Sequence, residues 1–127
     1  MKMSAGDVFR FMMACDQLPV KDVEDQLKMT KLYRELIEEE YTELQEAIAT
    51  HDRVEEFDAC LDLIWILIGH CHAQGWDLIG GWNEVARSNM AKIDPATGKM
   101  NRRADGKVTK PEGWTPPDLL PYMKESV

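Results

Sequence analysis

Acidic side chains stand where apolar ones are due between residues 34 and 69, in RELIEEEYTELQEA and, after a polar break, FDACLDLIWILIG. Glu39, Glu40 and Glu43 form an EExxE group, and Glu55, Asp58 and Asp62 follow at i, i+3, i+7 spacing. On a helix, the second set falls within about 60° of arc, a ladder of carboxylates along one line. Asp62 has Leu61, Leu63, Ile64 and Trp65 as neighbours, and an ionised carboxylate without a partner is costly in such surroundings. Carboxylates that converge in an apolar groove cannot all stay ionised: either some protonate or divalent cations neutralise them. Oxygen-only ligands point to Mg²⁺ or Mn²⁺ rather than zinc or copper. An isolated EExxE is commonly a solvated helix face, and Asp62 alone could answer to Arg34 or an indole N–H. Both features on adjacent helices point to a metal.

The elements that must position these acids are helical. Residues 4–15 predict a first helix, with Ser4 as N-cap and Val8, Phe9, Phe11, Met12 and Met13 as its apolar content, ending before Pro19. Residues 23–49 contain neither Pro nor Gly and consist mostly of strong helix formers. At 100° per residue, Met29, Leu32, Tyr33, Leu36, Ile37, Leu44, Ala47 and Ile48 make one stripe. Glu40 falls near its centre and Glu39 and Glu43 toward an edge, whereas Glu35, Glu38 and Glu46 point away. Thr50 and Asp52 are the cap candidates in the break, and residues 54–73 predict a third helix. A short connection implies that the second and third helices pack antiparallel, bringing Glu40 and Glu43 to face the ladder.

That third helix is apolar nearly all round, which predicts a helix-packed interface with a second copy. Gly75, Gly80 and Gly81 punctuate a link to a fourth helix at 81–93. From Asp94 onward Pro and Gly accumulate without helical periodicity. Asp105-Gly106 predicts a short β-hairpin, and the Pro-rich end an extended arm. The expectation is an all-α fold: a four-to-five-helix bundle with an antiparallel central pair, one domain over 1–127, and 94–127 as a non-helical C-terminal arm.

With 127 residues, 44% hydrophobic and 30% charged, the chain supports one modest core, so a homodimer or homotetramer is expected. A net charge of −8 argues against sequence-independent nucleic-acid binding, which needs a basic surface. The charge is uneven: residues 35–62 hold eleven acids and one base, and residues 87–110 seven bases and two acids. Cys15, Cys60 and Cys71 form no CxxC pair, so neither a disulfide framework nor a thiolate zinc site is expected. The longest apolar run, Leu63 to Ile68, is far short of the ~20 residues that span a bilayer. No signal-peptide core is present, and a cytoplasmic protein without a membrane partner is expected.

The ordered series of motifs resembles the MazG-like all-α nucleoside triphosphate pyrophosphohydrolases. EExxE is met by Glu39-Glu40-Tyr41-Thr42-Glu43, and DVFRFM, DACLDLIWILIG, EVARSNMAKI and GKMNRRADGKVTKPEGWTPPDL are similar to the compact, often phage-borne subgroup. The family's second motif is ExxD. Its literal match is Glu55-Glu56-Phe57-Asp58, whereas the apolar context puts its aspartate at Asp62 with Ala59 in the glutamate position. Glu55, Asp58 and Asp62 therefore all stand as metal candidates beside Glu40 and Glu43.

The resemblance implies hydrolysis of a nucleoside triphosphate, in the first instance a dNTP, between the α and β phosphates, using two or three Mg²⁺ or Mn²⁺ ions. Glu39 is then the residue that positions the attacking water or accepts its proton. Arg87, Asn89 and Lys92 are the motif-matched phosphate contacts, with Lys31 and Arg34 second. The basic arm (Lys99, Arg102, Arg103, Lys107, Lys110) either closes over a site or is a solvated tail. A base would stack near Phe9, Phe11 or Met12 and meet a polar reader such as Asp7 or Gln17. His70 and His72 point to different sides of a helix and suggest no metal pair.

Two readings from other classes compete. A carboxylate-bundle iron or manganese protein would add a Glu-x-x-His, which neither central helix carries. A non-enzymatic dimerisation module would tie its acids to Arg34, Arg53 and Arg87.

Overall fold

The computed structural model describes residues 5–123, and the Ser4 cap lies outside them. The chain divides into two compact units, residues 5–78 and 79–123.

The first unit is built from α1 (Ala5–Ala14), α2 (Val23–Ala49) and α3 (Arg53–Gln74). Asp22 caps α2 by accepting the Asp25 N–H at 2.8 Å. At the other end the Thr50 hydroxyl donates to the Glu46 carbonyl at 2.9 Å. His51 then takes a left-handed φ of 55°, and the Asp52 N–H returns to the Ala47 carbonyl at 3.0 Å. Asp52 also caps α3 by accepting the Glu55 N–H at 3.1 Å, so one aspartate ends the turn and starts the next helix. The break is thus only Thr50 to Asp52, and α3 begins at Arg53, one residue before the expected start.

This tight turn folds α2 and α3 back as the expected antiparallel pair. Residues equidistant from His51 meet across it. Tyr33 and Gly69 are one such pair: a Cβ on Gly69 would run into the Tyr33 ring, so the glycine is where the tyrosine packs. The buried core gathers Val8, Met12, Leu18, Met29, Tyr33 and Ala73, with Val20, Leu36, Ile66 and Ile68 packed against it. Buried Gln26 sits on the same stripe, its amide donating to the Ala73 carbonyl at 2.9 Å. Leu32 and Ile48, expected on the stripe, are exposed at its margins. On α3 only Ala59, Gly69 and Ala73 are fully buried, while Phe57, Leu61, Ile64, Trp65 and Leu67 remain exposed.

The second unit holds α4 (Leu78–Met90), which begins and ends three residues earlier than its periodicity predicts because Gly80 and Gly81 are helical rather than linking. β1 (Ile93–Asp94) and β2 (Lys99–Met100) pair antiparallel. The Asp94 carboxylate organises that turn, accepting from the Ala96 N–H at 2.8 Å and the Asn101 amide at 3.0 Å. The hairpin expected at Asp105-Gly106 is reduced to a single bridge, Arg102 with Val108. The arm is otherwise irregular, with a 3₁₀ turn at Leu120–Tyr122. Among the described residues no helix is long and apolar enough to cross a membrane.

Candidate metal centre

The antiparallel register brings acids from both central helices to one place. Glu40 and Asp62 are equidistant from His51, and each offers a carboxylate oxygen that, with one from Glu43, lies in a group whose members are all within 4.8 Å of one another. Glu40 Oε2 is buried and has no hydrogen-bond partner. Desolvation, then the charge of Glu43, its hydrogen bond, and the charges of Asp62 and Glu39 push the Glu40 carboxyl up to about 7. Burial raises Asp62 as well, followed by the charges of Asp58 and Glu43 and a hydrogen bond to Asp58.

No cation answers these acids. Among the described residues the ion pairs of the central helices are Lys28–Glu24, Lys31–Glu35 and Arg53–Glu56, and none involves Glu40, Glu43, Asp58 or Asp62. Neither Arg34 nor an indole serves Asp62. An orphaned buried carboxylate oxygen amid an unpaired acid cluster fits a hard divalent cation with oxygen ligands. The donors that would hold it are Glu40, Glu43 and Asp62, with Asp58 adjacent.

A cleft of about 370 Å³ opens at this end of the helix pair. It is lined by Glu43, Glu46 and Ala47 on α2, Glu55, Asp58 and Ala59 on α3, and Thr50 and Asp52 between them. Glu55 thus lies on the cleft wall toward the turn, outside the close group of acids. Glu39 is on the exposed flank of α2, near enough for its charge to act on Glu40. A cleft with this lining repels phosphates unless cations intervene.

The other expected site residues are distributed over both units. Met12 is fully buried in the core, and Gln17 accepts the Tyr33 hydroxyl at 2.6 Å, so both serve packing. Phe11 is half-exposed and stacks edge-on against Trp65 with ring centroids 5.6 Å apart. This pair lines a shallow cleft of about 460 Å³ with Asp7 and Arg10. Lys31 pairs loosely with Glu35 at 4.0 Å. Arg34 has no ion pair among the described residues, and its charge, after burial, lowers the pKa of His70. His70 lies edge-on to Trp76, and the His72 Nε2–H donates to the Ala5 carbonyl at 3.0 Å; neither histidine belongs to the acid group.

In the second unit Arg87 is clasped by Glu84 at 2.7 Å and reaches the Thr115 and Pro116 carbonyls at 3.5 and 3.4 Å. Asn89 Oδ1 accepts from the Lys92 ammonium at 3.1 Å. Arg102 turns to the Gly106 carbonyl and Arg103 to Asp105. Trp65, which periodicity marks only as apolar, and Trp114, in the arm where no periodicity exists, are the aromatic residues these surroundings single out.

A family model described as phosphoribosyl-ATP pyrophosphohydrolase matches residues 16–89, more than half of the chain and the whole of α2 and α3. No curated protein matches the chain.

Proposed function

The chain belongs to the phosphoribosyl-ATP pyrophosphohydrolase family, and from that premise we propose that it hydrolyses a nucleoside triphosphate, a dNTP by preference, to the monophosphate and pyrophosphate. The observation that carries this reading is the buried, unpartnered Glu40 Oε2 within a group of acids that no cation of the described chain neutralises.

Glu40, Glu43, Asp58 and Asp62, with Glu55 on the cleft wall, would hold the Mg²⁺ or Mn²⁺ ions, two or three per site. Bound there, such ions would neutralise the triphosphate and would lower the pKa of a water. Glu39, exposed beside Glu40, orients the attacking water and takes its proton. Oxygen attacks the α phosphorus, the bond to the α,β-bridging oxygen breaks, and pyrophosphate leaves with that oxygen and its electron pair. Phe11, with Trp65 one helical turn beyond Asp62, provides a stacking surface for the base, and Asp7 and Arg10 provide polar edges. Arg34 and Lys31, on α2 with Glu40 and Glu43, are the phosphate donors of this unit. Arg87, held by Glu84, acts mainly by fastening the arm to α4.

The chain works as a homodimer or homotetramer whose contact is the outward face of α3. Phe57 is 67% exposed, Leu61 47% and Leu67 45%, and water is a poor partner for such a face. Its setting is the cytoplasm of a bacterial cell or a phage-infected host.

The direct test is Mg²⁺-dependent pyrophosphate release from the common NTPs and dNTPs, with phosphoribosyl-ATP included. Turnover of at least one substrate, lost on chelation and in Glu40→Gln, is expected. No turnover of any member, together with unchanged metal binding in Asp62→Ala, would refute the reading.

A further inference from the structure

The outward face of α3 carries a pattern that reads the same in both directions. Cys60, Ile64, Leu67 and Cys71 follow one another at intervals of four, three and four residues, within about 60° of arc at 100° per residue. This is the alternation of a helix–helix seam. Ile64 and Leu67 are exposed, and Cys60 and Cys71 are half-buried with free thiols. Because the intervals are palindromic, a second α3 running antiparallel sets Ile64 against the partner's Leu67 and Cys60 against the partner's Cys71, and a two-fold axis repeats both contacts. A slip of one heptad either way carries Cys71 or Cys60 beyond the partner's seam.

Charge selects the direction. Residues 53–62, the first part of α3, hold four acids and one base, whereas residues 63–74 hold none of Asp, Glu, Lys or Arg. A parallel pairing sets the two acidic ends side by side, where like charges repel. The antiparallel pairing sets each acidic end against the uncharged end of the other copy. There Gly75 closes the helix, with no heavy atom within 4 Å of where a Cβ would stand, which leaves room for Phe57 of the partner subunit.

We infer that the α3 helices of two copies pack antiparallel along this seam, with Cys60 of each copy against the partner's Cys71. Helix axes about 8–10 Å apart, with Cα atoms about 2.3 Å from each axis, leave roughly 3.5–5.5 Å between facing Cα atoms. A disulfide spans about 4.4–6.8 Å, so each dimer holds two thiol pairs that an oxidant can join. The inference rests on the reading of this face as the contact between copies, and adds to it the partner element, direction and register.

The test is cross-linking of the full chain by oxidised glutathione, in a Cys15→Ser background that removes the exposed third thiol. One thiolate attacks the reagent and releases a glutathione thiol, and the facing thiolate then displaces the second. Two protein thiols become one disulfide while the reagent's disulfide becomes two thiols. A cross-linked dimer on non-reducing electrophoresis, reversed by dithiothreitol, is expected. Cys60→Ser and Cys71→Ser each lose it, and an equimolar mixture of the two, combined before oxidation, regains it, which also shows that both variants fold. A parallel pairing joins like to like, so a single variant that still cross-links by itself overturns the inference. So does a mixture that regains nothing, or a wild-type oligomer that the reagent does not cross-link; these results leave the contact face standing. A wild-type chain that is monomeric overturns both.

Discussion

Glu40 is the carboxyl group on which the proposed chemistry turns. Its pKa rises from an ordinary 4.5 to about 7, so between those values the folded chain holds a proton that the unfolded chain has released. The stability contributed by that proton is fully present below pH 4.5 and is lost as pH rises through 7. Asp62 shifts in the same direction. In EDTA the melting temperature should therefore fall between pH 5 and pH 8, and Glu40→Gln, which carries no proton to lose, should flatten part of that slope. Mg²⁺ needs the deprotonated form, so its affinity should weaken by about tenfold per unit below pH 7, with release of a proton on binding measurable by calorimetry in two buffers. Removing the carboxylate in Asp62→Asn should weaken Mg²⁺ by ~10–100-fold or more, the range that loss of mere outer-shell partners already reaches. The positions of Glu40 and Asp62 were legible in sequence because an acid inside an apolar stripe contradicts its surroundings. The separation of Asp58 from Glu55 was not, since both lie on the same ladder and only the register with α2 distinguishes them. Met12 shows a different limit. Helical spacing marks a residue as facing inward but does not say whether it meets a ligand or, like Met12, the core.

The register of α2 against α3 depends on two local features, the Thr50–Asp52 turn and the fit of Tyr33 over Gly69. Gly69→Ala would force the ring out of its place and should destabilise the chain by about 1–3 kcal/mol, the usual cost of overpacking, measured by urea unfolding. Because the same register sets Glu40 opposite Asp62, the variant should also lose Mg²⁺ affinity although it touches no acid. Asp52→Ala removes the cap of α3 and should cost about 1 kcal/mol, with metal affinity less affected since the ring-on-glycine contact persists. The bounds of α2 and the polarity of the pair were readable from the absence of Pro and Gly and from the short break. The start of α4 was not. Gly80 and Gly81 read as punctuation by propensity, yet they lie inside the helix, where tertiary context outweighs a cost of about 1 kcal/mol each. Likewise Asp105-Gly106 has the composition of a hairpin turn, but its flanks, KMNRR and KVTK, carry too little alternating apolar content to extend the ladder beyond one bridge.

α3 is apolar around most of its circumference, and among the described residues of the first unit α2 and α1 cover only one side of it. Along the opposite side run Phe57, Leu61, Ile64 and Leu67, with half-buried Cys60, Ile68 and Cys71 between them, a continuous surface without a charge. Full burial of such side chains is worth about 1.5–3 kcal/mol each, whereas the chain's own fully buried apolar set is small and includes Ala47, Ala59 and Ala73. A second copy that covers this face would add to a core that is short of large side chains. Folding and association should then be linked. Light scattering on the wild type should give a dimer or tetramer, with a melting temperature that rises with protein concentration. Leu61→Lys, which places a charge at the centre of the face and leaves the acid cluster intact, should yield a monomer with a lower, concentration-independent melting temperature. A wild-type chain that is monomeric at micromolar concentration, or a Leu61→Lys variant that keeps the wild-type mass, would place the contact elsewhere or remove the need for one.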